Sequence, residues 1–399
     1  MNSALSAATT AGYTMPPLWR TVTKSGYFLG LCGAIGATVT YATTVRPALR
    51  ARSADAGDAA VLRRRSARYL AGAGVLLLVA GYFQLAARVA RAGKGMPFAD
   101  ALAPDRIWHF LRAPAAKGAW IPQGTIYLVQ NGVLLLTAVT LAALFAPAAR
   151  RRTDALALLA LPLSLATTLI AAIPAAAPKN ADAVLDLVFD QVHIIAGTVW
   201  LGGLALLVAL AGTRGRLGGS AGLLWADLWR RFGLVAMVCV GAVVVSGLWM
   251  SWRHVGAIDQ LWTTGYGLAL LVKLLLVAGL VTAGAVNQLW LMPRIARARR
   301  ADDTASLLRL TLRHFPQVVW GEVALGLGVL VALPYLSGSA RTEAHSPQAA
   351  SSGAVFAAGA ALAAALAVSL YATAKTSDAL ARRQVLAANC PTGHEASRI

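Results

Sequence analysis

Five residues between 186 and 200 interrupt an otherwise apolar run. Asp186, Asp190, His193, Gly197 and Trp200 follow one another at spacings of 4, 3, 4 and 3. At about 3.6 residues per turn, that spacing draws one stripe along a helix. An imidazole with carboxylates on the same face can bind a transition metal, each carboxylate serving as ligand or as the group that orients the ring. The same groups can pass protons. A neutral histidine hydrogen-bonded to Asp190 or to a neighbouring helix is the plainer alternative. Further along, Met250 and His254 stand at i and i+4, so a thioether and an imidazole share a helix face, a soft pair suited to copper.

Other polar residues lie deep in apolar surroundings. Lys273 sits in LLVKLLL and Glu322 in WGEVALG. An ionised group at mid-membrane costs at least ~2.5–3.5 kcal/mol on insertion scales, so each needs a partner or a purpose. Glu322 is the expected partner of Lys273, in an ion pair that locks two helices or acts as a gate. Counting along opposed helices sets Glu322 deeper by about 9 Å. Asn287 is expected to bond a neighbouring helix. Gly202 and Gly203 are expected to seat one, with Trp200 packed beneath the stripe. Met15, Met96, His109 and His345 fall on connecting segments and read as ordinary surface.

The elements that position these groups are transmembrane helices. Of 399 residues, 58% are hydrophobic and 13% charged, in long apolar runs, which is the composition of a polytopic membrane protein. Runs of about 20 residues occur near 25–46, 68–90, 122–147, 154–176, 183–211, 231–252, 265–291, 315–337 and 353–374, the last Ala-rich and the weakest. The expected fold is therefore an all-α bundle of about nine helices.

The net charge of +20 does not indicate nucleic acid, because Lys and Arg cluster in the short segments between runs. Basic segments follow every odd run, at Arg46 to Arg65, Arg150 to Arg152, Arg214 to Arg231, Arg294 to Arg300 and Lys375 to Arg383. The positive-inside rule then puts the N-terminus outside and the C-terminus in the cytoplasm. On that topology Asp186 is near the outer surface and His193 about 10 Å deeper. Segment 91–121 carries both signs of charge, and DRIWHFLRAP within it reads as an amphipathic helix on the outer interface. The start of the chain lacks a basic region followed by an apolar core, so no cleaved signal peptide is expected. The chain divides into a first half, 1–181, a core of four spans, 182–340, and a last span with tail, 341–399.

DQVHIIAGTVWLGGLALL, RRFGLVAMVCVGAVVVSGLWMSW, TTGYGLALLVKLLLVAGLVTAGAVNQLWLMPR and WGEVALGLGVLVA, in that order, resemble the copper resistance protein D family across about 183–338. The resemblance carries over to Asp190, His193, Trp200, Gly202, Gly203, Tyr266, Gly267, Lys273, Asn287 and Glu322. It implies a multi-pass protein of the bacterial inner membrane that handles copper, with a periplasmic copper carrier as a partner alongside the lipid bilayer. The leading expectation is import or translocation of copper ion along Asp186, Asp190 and His193, with Met250 and His254 as further ligands. Copper(I), copper(II), zinc and protons all remain open as the species carried.

The alternative is an electron-transfer protein or an oxidase metallation factor. A bis-histidine haem needs two facing intramembrane histidines. Only His193 lies at depth, with His254 and His314 near opposite ends of their runs, so no haem is expected. No phosphate loop, HExxH or dinucleotide fingerprint occurs, and the chain is not expected to be an enzyme.

Overall fold

The computed structural model describes residues 13–51, 55–93, 95–218, 221–300, 310, 315–347, 349 and 352–388. His314 and Cys390 lie outside the described residues. Among the described residues the secondary structure is helical throughout, without strands.

The helices are α1 (Leu18–Leu49), α2 (Ala56–Ala92), the short α3 (Pro104–Leu111), α4 (Gln123–Phe145), α5 (Thr153–Ala171), α6 (Ala181–Ala211), α7 (Ala221–His254), α8 (Gly265–Val286), α9 (Phe315–Ala332) and α10 (Gly353–Ala388). Seven of them are long and apolar enough to cross a membrane, and shorter apolar helices at Val319–Tyr335 and Gly353–Ser369 follow. The bundle presents large apolar side chains outward, such as Val79, Leu136, Val238 and Leu275. Such a surface suits hydrocarbon rather than water. The protein is an all-α polytopic membrane bundle.

Two helices run well past their apolar stretches. Asp55 caps α2 by accepting from the amides of Gly57 and Asp58, and the Arg-rich first turns continue unbroken into the span. α7 likewise begins ten residues before its apolar run, with Trp225 and Trp229 fully buried there. An apolar run marks only the part of a helix that crosses lipid, so a polar extension is invisible to it.

α1 is the central element. It packs on α2 and α9 and, through its middle, on α6, while α4 and α5 pack together beyond α2. α6 pairs with α7, and α8 with α9. The hydrophobic core joins Ile35, Tyr41, Leu70, Leu141, Leu206, Trp225 and Phe232. α1 contains two π turns, Cys32–Gly36 and Tyr41–Val45. At the first of them Gly36 and Gly202 bring the α1 and α6 backbones together. A methyl group on Gly202 would strike the Cys32 carbonyl, and one on Gly36 would strike the Thr198 carbonyl. Gly203 faces Phe232 and Thr40 in the same way.

The two ends of the bundle differ. At the basic end, Asp154 accepts from Tyr41 (2.6 Å) and Arg50 (2.6 Å), and Asp58 accepts from the Gly218 amide (2.8 Å). At the opposite end the segment 333–347 folds over the connection between α7 and α8. Ser339 Oγ donates to the His254 carbonyl (2.9 Å), and the Glu343 carboxylate accepts from the amides of Gly265 (2.8 Å) and Tyr266 (3.1 Å), the free donors at the start of α8. Tyr13 donates to the Tyr335 carbonyl (2.8 Å), and burial together with the Glu343 charge raises its phenol pKa above the usual value. α3, the helix expected on the interface, buries Ile107 and Leu111 against the bundle and exposes Trp108.

Candidate functional site

A cavity of about 410 Å³ opens among α1, α6, α7, α8 and α9 toward the end opposite the basic one. Its polar lining consists mainly of Lys24, Asp190, His193, Met250, His254 and Lys273, set in a largely apolar wall. The helical rise explains how one stripe of α6 serves it. Asp190, His193, Gly197 and Trp200 all line the cavity, and Leu204 lies about 16 Å below His193 along the helix.

The hydrogen bonds assign the tautomer of His193. Ser246 Oγ donates to the Ala242 carbonyl at 2.6 Å, which commits its proton. Nδ1 of His193, 3.0 Å from the same oxygen, is therefore the protonated nitrogen and donates to it. Nε2 keeps its lone pair, and Nζ of Lys273 lies 3.4 Å from it. His254 is set up alike. Its Nδ1 donates to the Met250 carbonyl (2.8 Å), leaving Nε2 as the acceptor, while its ring stacks on Tyr266 at 5.6 Å. A histidine whose Nδ1–H is tied to an oxygen presents Nε2 as a metal ligand. Both imidazoles and the Met250 side chain line the same space, giving two nitrogens and a thioether suited to copper.

The expected stripe divides here. Asp186 is committed elsewhere, accepting from Trp249 Nε1 (2.9 Å) and from Arg253 through Nε (3.0 Å) and Nη2 (2.8 Å). Arg253 also pairs with Asp182 (3.6 Å) and donates to the Ala349 carbonyl (2.6 Å). Asp186 thus ties α6 to α7 instead of standing open at a mouth. The pair expected between Lys273 and Glu322 is not formed. Glu322 is buried and accepts from Asn287 Nδ2 at 2.6 Å, joining the end of α8 to α9, whereas Lys273 turns to His193. Depth explains both outcomes, because Asn287 is close to Glu322 in level and His193 is close to Lys273.

Three functional side chains escaped the sequence reading. Lys24 lies one residue before the first apolar run, yet its ammonium reaches into the cavity and donates to the Leu333 carbonyl at 3.1 Å. Ser246 is a small polar residue in an apolar stretch, indistinguishable there from a packing serine. Arg253 stands at the end of α7, and no spacing within one helix ties it to Asp186 of another. Among the described residues no group of three or more His, Cys, Asp or Glu side chains converges as a ready-made metal site. The donors surround a space.

Residues 226–336 match the family model of copper resistance protein D. That segment holds Met250, His254, Lys273, Asn287 and Glu322 and begins beyond Asp190 and His193. The chain is also similar to the copper transport protein CutJ of Bacillus subtilis, with 27% identity over 278 residues, 69% of this chain and 46% of the relative. The chain therefore spans about half the length of the curated relative it matches, 46%. No solved structure matches. The resemblance to the copper resistance protein D family holds for the motifs of α7 to α9, which the family model covers.

Proposed function

We propose that this protein handles copper at a bacterial inner membrane, admitting it from the extracytoplasmic side for passage toward the cytoplasm. The observation that carries the reading is the shared cavity, which His193, His254 and Met250 all line, each imidazole with its Nδ1 already engaged. Imidazole suits copper in either common oxidation state, and thioether favours copper(I).

The direction rests on charge. Arg46, Arg50, Arg150, Arg214 and Arg231 gather at the end away from the cavity, which the positive-inside rule assigns to the cytoplasm. The cavity then faces outward, where a periplasmic copper carrier can deliver its load. Asp190 acts beside the histidines as a carboxylate ligand or as a charge that favours a cation. Asp186 is reassigned to holding the outer ends of α6 and α7. Lys273 is the movable group at the ligand position, and the Asn287–Glu322 pair holds α8 to α9. The role is carriage rather than catalysis.

Two measurements test the reading. Cells carrying the protein should accumulate more copper than cells carrying His193→Ala at equal membrane abundance. Purified protein should retain copper after dialysis, and the variant should retain less. Equal accumulation and equal retention would remove the cavity from the copper route.

A further inference from the structure

The charge of the cavity is wrong for a bare cation. Its lining sets two ammonium groups, Lys24 and Lys273, against one carboxylate, Asp190. Lys24 gives one proton to the Leu333 carbonyl and Lys273 faces His193. Among the described residues neither is salt-bridged to a carboxylate. Arg20 and Arg91 add positive charge to the field at Lys24. Asp190 is the one carboxylate whose charge acts on both lysines, so one ammonium charge stays uncompensated. A charge withdrawn from water in that way is costly, and the cost falls when an anion enters beside it.

Size points the same way. Water occupies about 30 Å³ in the liquid, so a cavity of about 410 Å³ greatly exceeds what a hydrated ion needs. It falls instead within the range of small-molecule pockets, about 300–1,000 Å³. The walls are mostly apolar, with Phe28, Leu274 and Val329 among them. The protein's own donors do not converge on a point. A metal bound here needs further ligands, and there is room for it to bring them.

We propose that the cavity takes copper as a chelate that carries free carboxylates, the metal held by small amino-carboxylates such as amino acids. His193 meets the metal through Nε2, displacing one oxygen ligand of the chelate, while Lys24 and Lys273 pair with the carboxylates. No electron transfer is involved and the copper keeps its oxidation state. This inference rests on the copper reading above and specifies its cargo.

The full-length protein in detergent is dialysed against three probes: copper(II) chloride in a non-coordinating buffer, copper(II) with two equivalents of radiolabelled aspartate, and labelled aspartate alone. Aspartate should be retained only together with copper, at one or two per metal. Lys24→Met and Lys273→Met should each weaken retention of the copper–aspartate complex at least tenfold while melting near the parent, which reports that the variants are folded. Lys24→Arg, keeping the charge, should restore it. With the copper–aspartate probe, copper retained without its label, or lysine variants that hold the complex as well as the parent, would overturn the chelate while leaving the copper reading intact. Aspartate retained without copper would overturn the chelate in favour of a plain organic-anion site. Copper retained from neither source would overturn both.

Discussion

Nζ of Lys273 stands 3.4 Å from Nε2 of His193, the ring nitrogen that the bond to Ser246 leaves free. An ammonium donor and an incoming metal ion contend for one lone pair. On the proposed copper reading, the metal would reach His193 only with Lys273 turned aside. His193→Ala should lower copper retention at least about tenfold, or about 1.4 kcal/mol. Equilibrium dialysis with metal analysis checks it, and an unchanged dissociation constant would exclude the ring as a ligand.

Ser246 offers a separate handle on the same ring. Ser246→Ala removes the acceptor that fixes Nδ1–H and leaves the imidazole free to rotate. Loss of such an orienting partner typically costs about 10–100-fold in metal affinity. The variant should show that loss with a melting temperature close to the parent's. Parent-like affinity would mean that packing alone holds the ring.

The glycine contacts make a paired stability prediction. Gly202→Ala forces a methyl group into the Cys32 carbonyl, whereas Gly197 has nothing within 4 Å of a built methyl. Overpacking of a close helix contact costs about 1–3 kcal/mol or more. Thermal unfolding in detergent should show a clear fall for Gly202→Ala and little change for Gly197→Ala. Similar melting for the two would argue against a tight α1–α6 contact.

These contrasts show what was legible in the sequence. Apolar runs located the spans, because lipid demands about 20 apolar residues of a helix. Helical spacing put Asp190, His193, Gly197 and Trp200 on one face, and they share one cavity. Gly202 and Gly203 read as helix seats; Gly202 meets the α1 backbone, and Gly203 meets the Phe232 and Thr40 side chains. Partner choice was harder, since spacing within a helix says nothing of which neighbour turns toward it. Asp186 lies on the stripe, yet Arg253 of another helix claims it. Lys273 and Glu322 were the deep charges of adjacent spans, yet each found a polar residue nearer its own level. Lys24 escaped because a long side chain can reach inward from a span boundary.

The Asn287–Glu322 bond yields a fourth prediction. Asn287→Leu leaves a buried carboxyl without its donor, an omission that costs about 1–3 kcal/mol. Glu322→Gln keeps an acceptor for Asn287 Nδ2 and should melt near the parent. A parent-like melting curve for Asn287→Leu would show that the 2.6 Å bond adds no net stability.

Topology is open to direct chemistry. In a Cys390→Ser background the remaining cysteines, Cys32 and Cys239, are buried. Lys117→Cys should react with a membrane-impermeant thiol reagent in intact spheroplasts, and Arg151→Cys only after permeabilisation. The reverse pattern would turn the cavity toward the cytoplasm.

The meeting of Gly36 with Gly202 bears on how such a bundle can move. With no side chains between them there, α1 and α6 meet as two rods at a point of contact level with Leu201 and Leu204 of the cavity wall. Rods so arranged are free to tilt but not to slide, and the crossing is their fulcrum. Tilting that widens the gap on one side of a fulcrum narrows it on the other. One pair of glycines thus fixes the point about which any tilt of α1 against α6 would turn.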